Sequence, residues 1–234
     1  MTKKILKKFI PFFVIKLRRK VRQYWRTYLY ARFIQERYEN EKLIPKYNLQ
    51  QKNIQNLKVL LDRESLLSNL PKNAVCAEIG VDEGSFSEKI LKQTTPKKLH
   101  LIDAWGDPLR YHDGLKTLVR NKFKNEIEEK VIELNIGYST ITLERFPDNY
   151  FDWAYLDTNH TYKVTADELA ILKDKVKPRG IIAGHDYIIG NWVDDCRYGV
   201  IEAVYELCVK DNWELLYITA NFNESPSFAI QKLQ

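Results

Sequence analysis

NAVCAEIGVDEG, residues 73–84, runs from an apolar stretch into a turn with glycines at Gly80 and Gly84, and SFSEKILKQ follows with helical spacing. Four further short apolar runs repeat the opening of that unit: KLHLIDAW (98–105), KVIELNIG (130–137), FDWAYLDT (151–158) and GIIAGHDY (180–187). Amphipathic stretches fall between them, notably 108–127 and TYKVTADELAILKDKVK. Strands alternating with helices predict a parallel sheet covered on both faces, with ligands beyond the carboxyl ends of the strands. A helix is expected within 193–211, then strands WELLYIT (213–219) and SFAIQKL (227–233). The ANFNESP between those two is too short for a crossover helix, so they pair antiparallel. The expected fold is α/β, a doubly wound, seven-stranded, mostly parallel sheet closed by an antiparallel last strand.

The chain has 234 residues, enough for one well-buried α/β domain and an appendage. Three widely spaced cysteines, Cys76, Cys196 and Cys208, form neither a disulfide framework nor a zinc motif, which points to a reducing, cytoplasmic setting. The net charge of +6 conceals two opposed parts. Residues 1–35 hold eleven Lys or Arg and no acid, whereas the rest holds 26 basic and 31 acidic residues, a net of −5. Residues 1–57 are read as a basic helical arm with a polar connector at 36–57, and 58–234 as the domain. The arm's longest apolar run, Phe9 to Ile15, is far below the roughly 20 residues needed to span a bilayer. Its mixture of cations and aromatics suits an anionic membrane surface, at the inner face of the membrane for a cytoplasmic protein. The alternative is a helix packing on the domain or on a second subunit, as a homo-oligomer. No recognised motif supports a nucleic-acid partner.

Gly80 and Gly84 would let backbone approach a ligand closely. Asp103 ends the second strand about 20 residues after the turn, where a carboxylate grips ribose hydroxyls. A dinucleotide site would need glycine where Asp82 stands, and Asp82 and Glu83 would repel a diphosphate, which argues against a nicotinamide oxidoreductase. A cationic nucleoside such as S-adenosylmethionine tolerates both, with Glu78 or a neighbouring carbonyl at its amino-acid end.

AEIGVDEGSFS, LHLIDAW, FDWAYLDTNHTY and KPRGIIAGHDY, in that order, resemble the class I S-adenosylmethionine-dependent methyltransferases. They resemble most the branch of macrolide and aminocoumarin sugar O-methyltransferases and polysaccharide-pathway enzymes. The resemblance spans 70–234 and implies a Rossmann-like fold, with cofactor contacts from Glu78, Gly80, Gly84, Ser85, Asp103 and Ala104. Arg179 departs from it, standing where the family has glycine in a Pro-Gly-Gly turn.

In such a sheet the ends of the fourth and fifth strands can bring Asp157 and His160 near His185 and Asp186. Two carboxylates and one or two imidazoles there suit a divalent cation, Mg²⁺ by their oxygens or Mn²⁺ by their nitrogen. The resemblance implies Asp157 as metal ligand, His160 as general base, and His185-Asp186 in place of paired aspartates. His185 is thus a candidate both as ligand and as base. Tyr111 and His112 are candidates to line an acceptor pocket, and Asp194 and Asp195 to begin a helix. The function these readings imply is O-methylation of a sugar or surface glycan with divalent metal assistance. The alternatives are a metal-independent methyltransferase on a small hydroxylated or phosphorylated acceptor, and a membrane-surface scaffold without turnover.

Overall fold

The computed structural model describes residues 12–105, 114–191, 193, 196–221 and 223–233. Tyr111, His112, Asp194 and Asp195 lie outside the described residues. The chain forms two compact units, Met1–Pro45 and Lys46–Gln234. The first contains α1 (Phe12–Leu43), a 32-residue helix with no glycine or proline inside it and Pro45 just beyond its end. Among the described residues no helix is long and apolar enough to cross a membrane.

In the second unit a single 3-10 turn (Gln51–Asn53) leads to β1 (Lys58–Leu60), α2 (Arg63–Ser68), β2 (Val75–Ile79), α3 (Ser85–Thr94) and β3 (Lys98–Asp103). α4 (Leu115–Lys122), α5 (Lys124–Glu128), β4 (Ile132–Ile136), α6 (Ser139–Leu143), β5 (Phe151–Leu156), α7 (Tyr162–Lys175) and β6 (Val176–Gly184) follow. A small ribbon, β7 (Gly190–Asn191) and β8 (Cys196–Arg197), precedes α8 (Val200–Lys210), β9 (Trp213–Thr219) and β10 (Phe228–Lys232).

The main sheet has eight strands in the order β1-β9-β10-β6-β5-β2-β3-β4. The five strands from β2 to β6 run parallel, and β10 inserts antiparallel between β6 and β9. All seven strands read from the sequence are present. The eighth, β1, pairs parallel with β9 at the edge. Residues 46–57, read as part of the connector, belong to the second unit. The buried Asn53 donates to the Cys208 and Trp213 carbonyls at 3.0 and 2.7 Å, which ties this segment to the sheet.

Each central strand buries both faces, which explains its near-continuous apolar sequence. Along β5, Ala154 and Leu156 join one core layer with Leu169, Leu172, Val204 and Leu207, while Trp153 and Tyr155 join the other with Leu66, Leu67 and Ile90. This alternation places helices on both faces and leaves the carboxyl ends of β2, β3, β5 and β6 along one rim. Arg179, where the resemblance called for glycine, has φ +68, the left-handed conformation glycine adopts without penalty.

Candidate active site

The β2 end is fixed by Gly80, which has φ +87 and whose N–H donates to the Ile102 carbonyl at 2.9 Å. A Cβ at this position would stand 1.9 Å from the Asp157 carbonyl oxygen. The close approach of the β2 and β5 ends therefore requires glycine. Gly84 has φ +73 and caps α3 against the Phe123 ring.

Asp103 closes β3, is 6% exposed, and accepts three backbone N–H bonds. Val81 and Asp82 donate to one carboxylate oxygen at 2.7 and 3.0 Å, and Trp105 donates to the other at 3.0 Å. The Trp105 indole N–H in turn donates to the Asp82 carbonyl at 3.0 Å. The carboxylate expected to meet ribose thus also holds the glycine turn in shape. Asp82 sits at φ +51, a conformation costly for a non-glycine residue that these bonds help maintain.

Glu78 is buried in β2, and the Ser87 hydroxyl donates to it. Burial pushes its carboxyl up to about 8, with Asp157 adding to the rise and Ser87 and Arg63 opposing it. Arg63 opens α2, which Asp62 caps by accepting from the Ser65 N–H at 2.7 Å. The guanidinium lies 3.6 Å above the Phe86 ring and donates to Asp157 at 3.2 Å, while its Nε is buried without a hydrogen-bond partner. Burial raises the Asp157 carboxyl to about 6 and Arg63 draws it back down.

His160 Nε2 lies 3.2 Å from an Asp186 oxygen, and its ring packs on Tyr198 with centroids 4.6 Å apart. Asp157, His160 and Asp186 each offer one ligand atom, all within 4.8 Å of one another. His185 is not one of these three. Its Nδ1 lies 3.1 Å from the Ser227 hydroxyl, itself 2.9 Å from the Tyr155 hydroxyl. Burial first, then Arg63, lowers the His185 imidazole to about 4, so it is neutral at physiological pH.

A cavity of about 760 Å³ joins these groups. Among the predicted residues Glu78, Gly80, Ser85, Asp103, Ala104, Asp157 and His160 line it, whereas Gly84, His185 and Asp186 do not. Arg63 and Glu168 also line it and were not read from the sequence. Ser139 and Thr158 hydroxyls donate to Glu168, and burial lifts its carboxyl to about 7. A buried cation on a cavity wall marks a site for anionic groups, but the identity of Arg63 alone does not show which wall it joins.

A family model described as a methyltransferase domain matches residues 77–187, which hold the glycine turn, Asp103 and the Asp157–Asp186 cluster. The fold is that of the class I methyltransferases. An S-adenosylmethionine-dependent methyltransferase from Aquifex aeolicus superposes with TM-score 0.52 at 16% identity, covering 73% of this chain and 89% of that one. A Streptococcus mutans protein described as a methyltransferase, solved with S-adenosylhomocysteine, gives TM-score 0.52 at 13% identity, covering 73% of this chain and 96% of its own. The Bacillus subtilis tRNA methyltransferase TrmK gives 0.54 at 15% identity, over 75% of this chain and 67% of that chain. No curated protein sequence matches. The chain is thus similar in sequence to a methyltransferase domain over residues 77–187 and in fold to solved methyltransferases.

Proposed function

We propose that this chain is an S-adenosylmethionine-dependent methyltransferase that transfers the methyl group to a hydroxyl oxygen of a sugar or glycan, with a divalent cation assisting. The observation that carries this reading is the convergence of Asp157, His160 and Asp186, with ligand atoms within 4.8 Å of one another, beside the nucleotide end of the cavity. Two carboxylates and an imidazole are a donor set that Mg²⁺ or Mn²⁺ accepts. Asp157 and Asp186 would hold the cation, and the chemistry it supplies is polarisation of an acceptor hydroxyl so that its proton is lost more readily.

The chain's own residues supply the rest. The Gly80 turn and Asp103 would hold the adenosine, Glu78 the cofactor's ammonium and Arg63 its carboxylate. A cationic ligand also favours ionised Glu78, offsetting the effect of its burial. The chemistry S-adenosylmethionine would supply is a methyl group on a sulfonium, released to the acceptor oxygen with the carbon–sulfur electron pair left on sulfur. The hydroxyl proton passes to His160, whose imidazolium Asp186 then stabilises at 3.2 Å. The excess of acid over base in residues 36–234 disfavours a polyanionic acceptor such as nucleic acid.

A metal-independent transfer is the second reading, because Arg63 already supplies a positive charge to Asp157. The two are separated by titrating the protein with Mn²⁺ and by following S-adenosylhomocysteine release with a panel of sugar acceptors. The first reading predicts Mn²⁺ binding that is lost in Asp186→Asn, and turnover abolished by a chelator and restored by Mg²⁺ or Mn²⁺. Turnover indifferent to chelation, with no Mn²⁺ bound, would establish the second.

A further inference from the structure

Residues 16–28 of α1 sort their side chains by kind, whereas beyond them Leu29 and Tyr30 fall on the basic side and Arg32 on the apolar side. At 3.6 residues per turn, Val14, Leu17, Val21, Tyr24, Trp25 and Tyr28 share one side, and Lys16, Arg19, Arg22 and Arg26 the other. Arg18 and Lys20 lie along the two borders. The stripe is open to solvent: Leu17 is 58% exposed, Tyr24 70%, Trp25 55% and Tyr28 48%. The Trp25 and Tyr28 rings meet edge to face at 5.9 Å, forming one aromatic patch. From Lys16 to Arg32 there are seven Lys or Arg and no acid.

We propose that α1 is a membrane-surface helix that lies flat on anionic lipid. Its aromatic and aliphatic stripe enters the boundary between headgroups and acyl chains, and its cations meet the lipid phosphates. The charge pattern selects this occupant over two others. A second copy of the helix would set seven cations against seven when parallel. When antiparallel it would offer only Glu36, Glu39 and Glu41, and Glu39 is already bridged by Lys42 of the same helix at 3.0 Å. Nucleic acid would need stacking aromatics and cations directed to the same side, whereas from Lys16 to Tyr28 they occupy opposite sides. Tyrosine and tryptophan with basic residues at the borders are what the interfacial layer accommodates. This inference is independent of the acceptor and of any metal.

The test uses the full chain with vesicles of phosphatidylcholine alone and of phosphatidylcholine mixed with phosphatidylglycerol. Expected are co-sedimentation with the anionic vesicles only, weakening as salt is raised, and a blue shift of tryptophan emission that is lost in Trp25→Phe. Reversing three cations in Arg19→Glu/Arg22→Glu/Arg26→Glu should reduce partitioning by at least ~100-fold. Trp25→Asp should reduce it by about tenfold. S-adenosylhomocysteine titration of the same variants checks that the domain stays intact. Failure to pellet with anionic vesicles overturns the proposal. So does light scattering that shows an oligomer dissolved by Trp25→Asp, or binding to a homopolymer RNA that outcompetes the vesicles.

Discussion

The two ends of the cavity balance their charges by different means. At the β2–β3 end, Asp103 is satisfied by three backbone N–H groups and Glu78 by Ser87, all within residues 78–105. At the β5–β6 end the charges satisfy one another: Arg63 holds Asp157, and Asp186 faces His160. Backbone donors cannot leave when a ligand arrives, whereas side-chain partners can be exchanged for a cofactor carboxylate, a cation or an acceptor. On the proposed function, the first end would be ready before binding and the second would change on binding.

The largest effect should come from closing the gap between the two ends. Gly80→Ala puts a methyl group against the Asp157 carbonyl at a left-handed φ, and should cost roughly 4 kcal/mol in urea denaturation. A small loss, under about 1 kcal/mol, would mean that the β2 and β5 ends are not locked together.

The pH dependence of stability tests the rigid end. Glu78 is raised from 4.5 to about 8, so the folded state holds its proton more tightly than the unfolded state. The resulting stability is full below pH 4.5 and is lost as pH rises toward 8, with a slope of up to about 1.4 kcal/mol per pH unit. Glu78→Gln should flatten this decline, leaving the smaller parts due to Asp157 between 3.8 and about 6 and to Glu168 between 4.5 and about 7. An unchanged slope would place the titration elsewhere.

Arg63→Ala tests the exchangeable end. Removing the cation paired with Asp157 should weaken S-adenosylhomocysteine about tenfold and tighten Mn²⁺ binding, both read by calorimetry. Equal losses of both ligands would make Arg63 a structural support rather than an exchangeable partner. The smallest effect belongs to Arg179→Gly, which relieves the +68° φ and should stabilise the domain by up to about 1 kcal/mol in thermal melts.

The legibility of the molecule divides along similar lines. The inner strands could be read because each is buried on both faces and carries its own apolar signal. At the sheet edge β4, with Glu133 and Ile136 exposed, keeps the alternating Ile132, Leu134 and Ile136. β1 escaped because three residues, KVL, are too few to give a periodic signal, and its segment is anchored by Asn53 to carbonyls 155 and 160 residues away. Arg63 escaped for the same reason, since its partner Asp157 is 94 positions distant. His185 and Asp186 lie beyond the end of β6, Asp186 at φ +53, so strand alternation does not say which of them turns toward Asp157. The rotation that sends Asp186 toward His160 sends His185 toward Ser227.

Titration of the full chain with S-adenosylhomocysteine, beside a cooperatively melting Asp103→Ala variant, tests most directly the claim that the β2–β3 end is a ready-made nucleoside site. The account predicts micromolar binding that falls by at least about 30-fold in the variant, as the turn amides lose their acceptor. Absence of binding to the unaltered chain, or equal binding by both proteins, would contradict it.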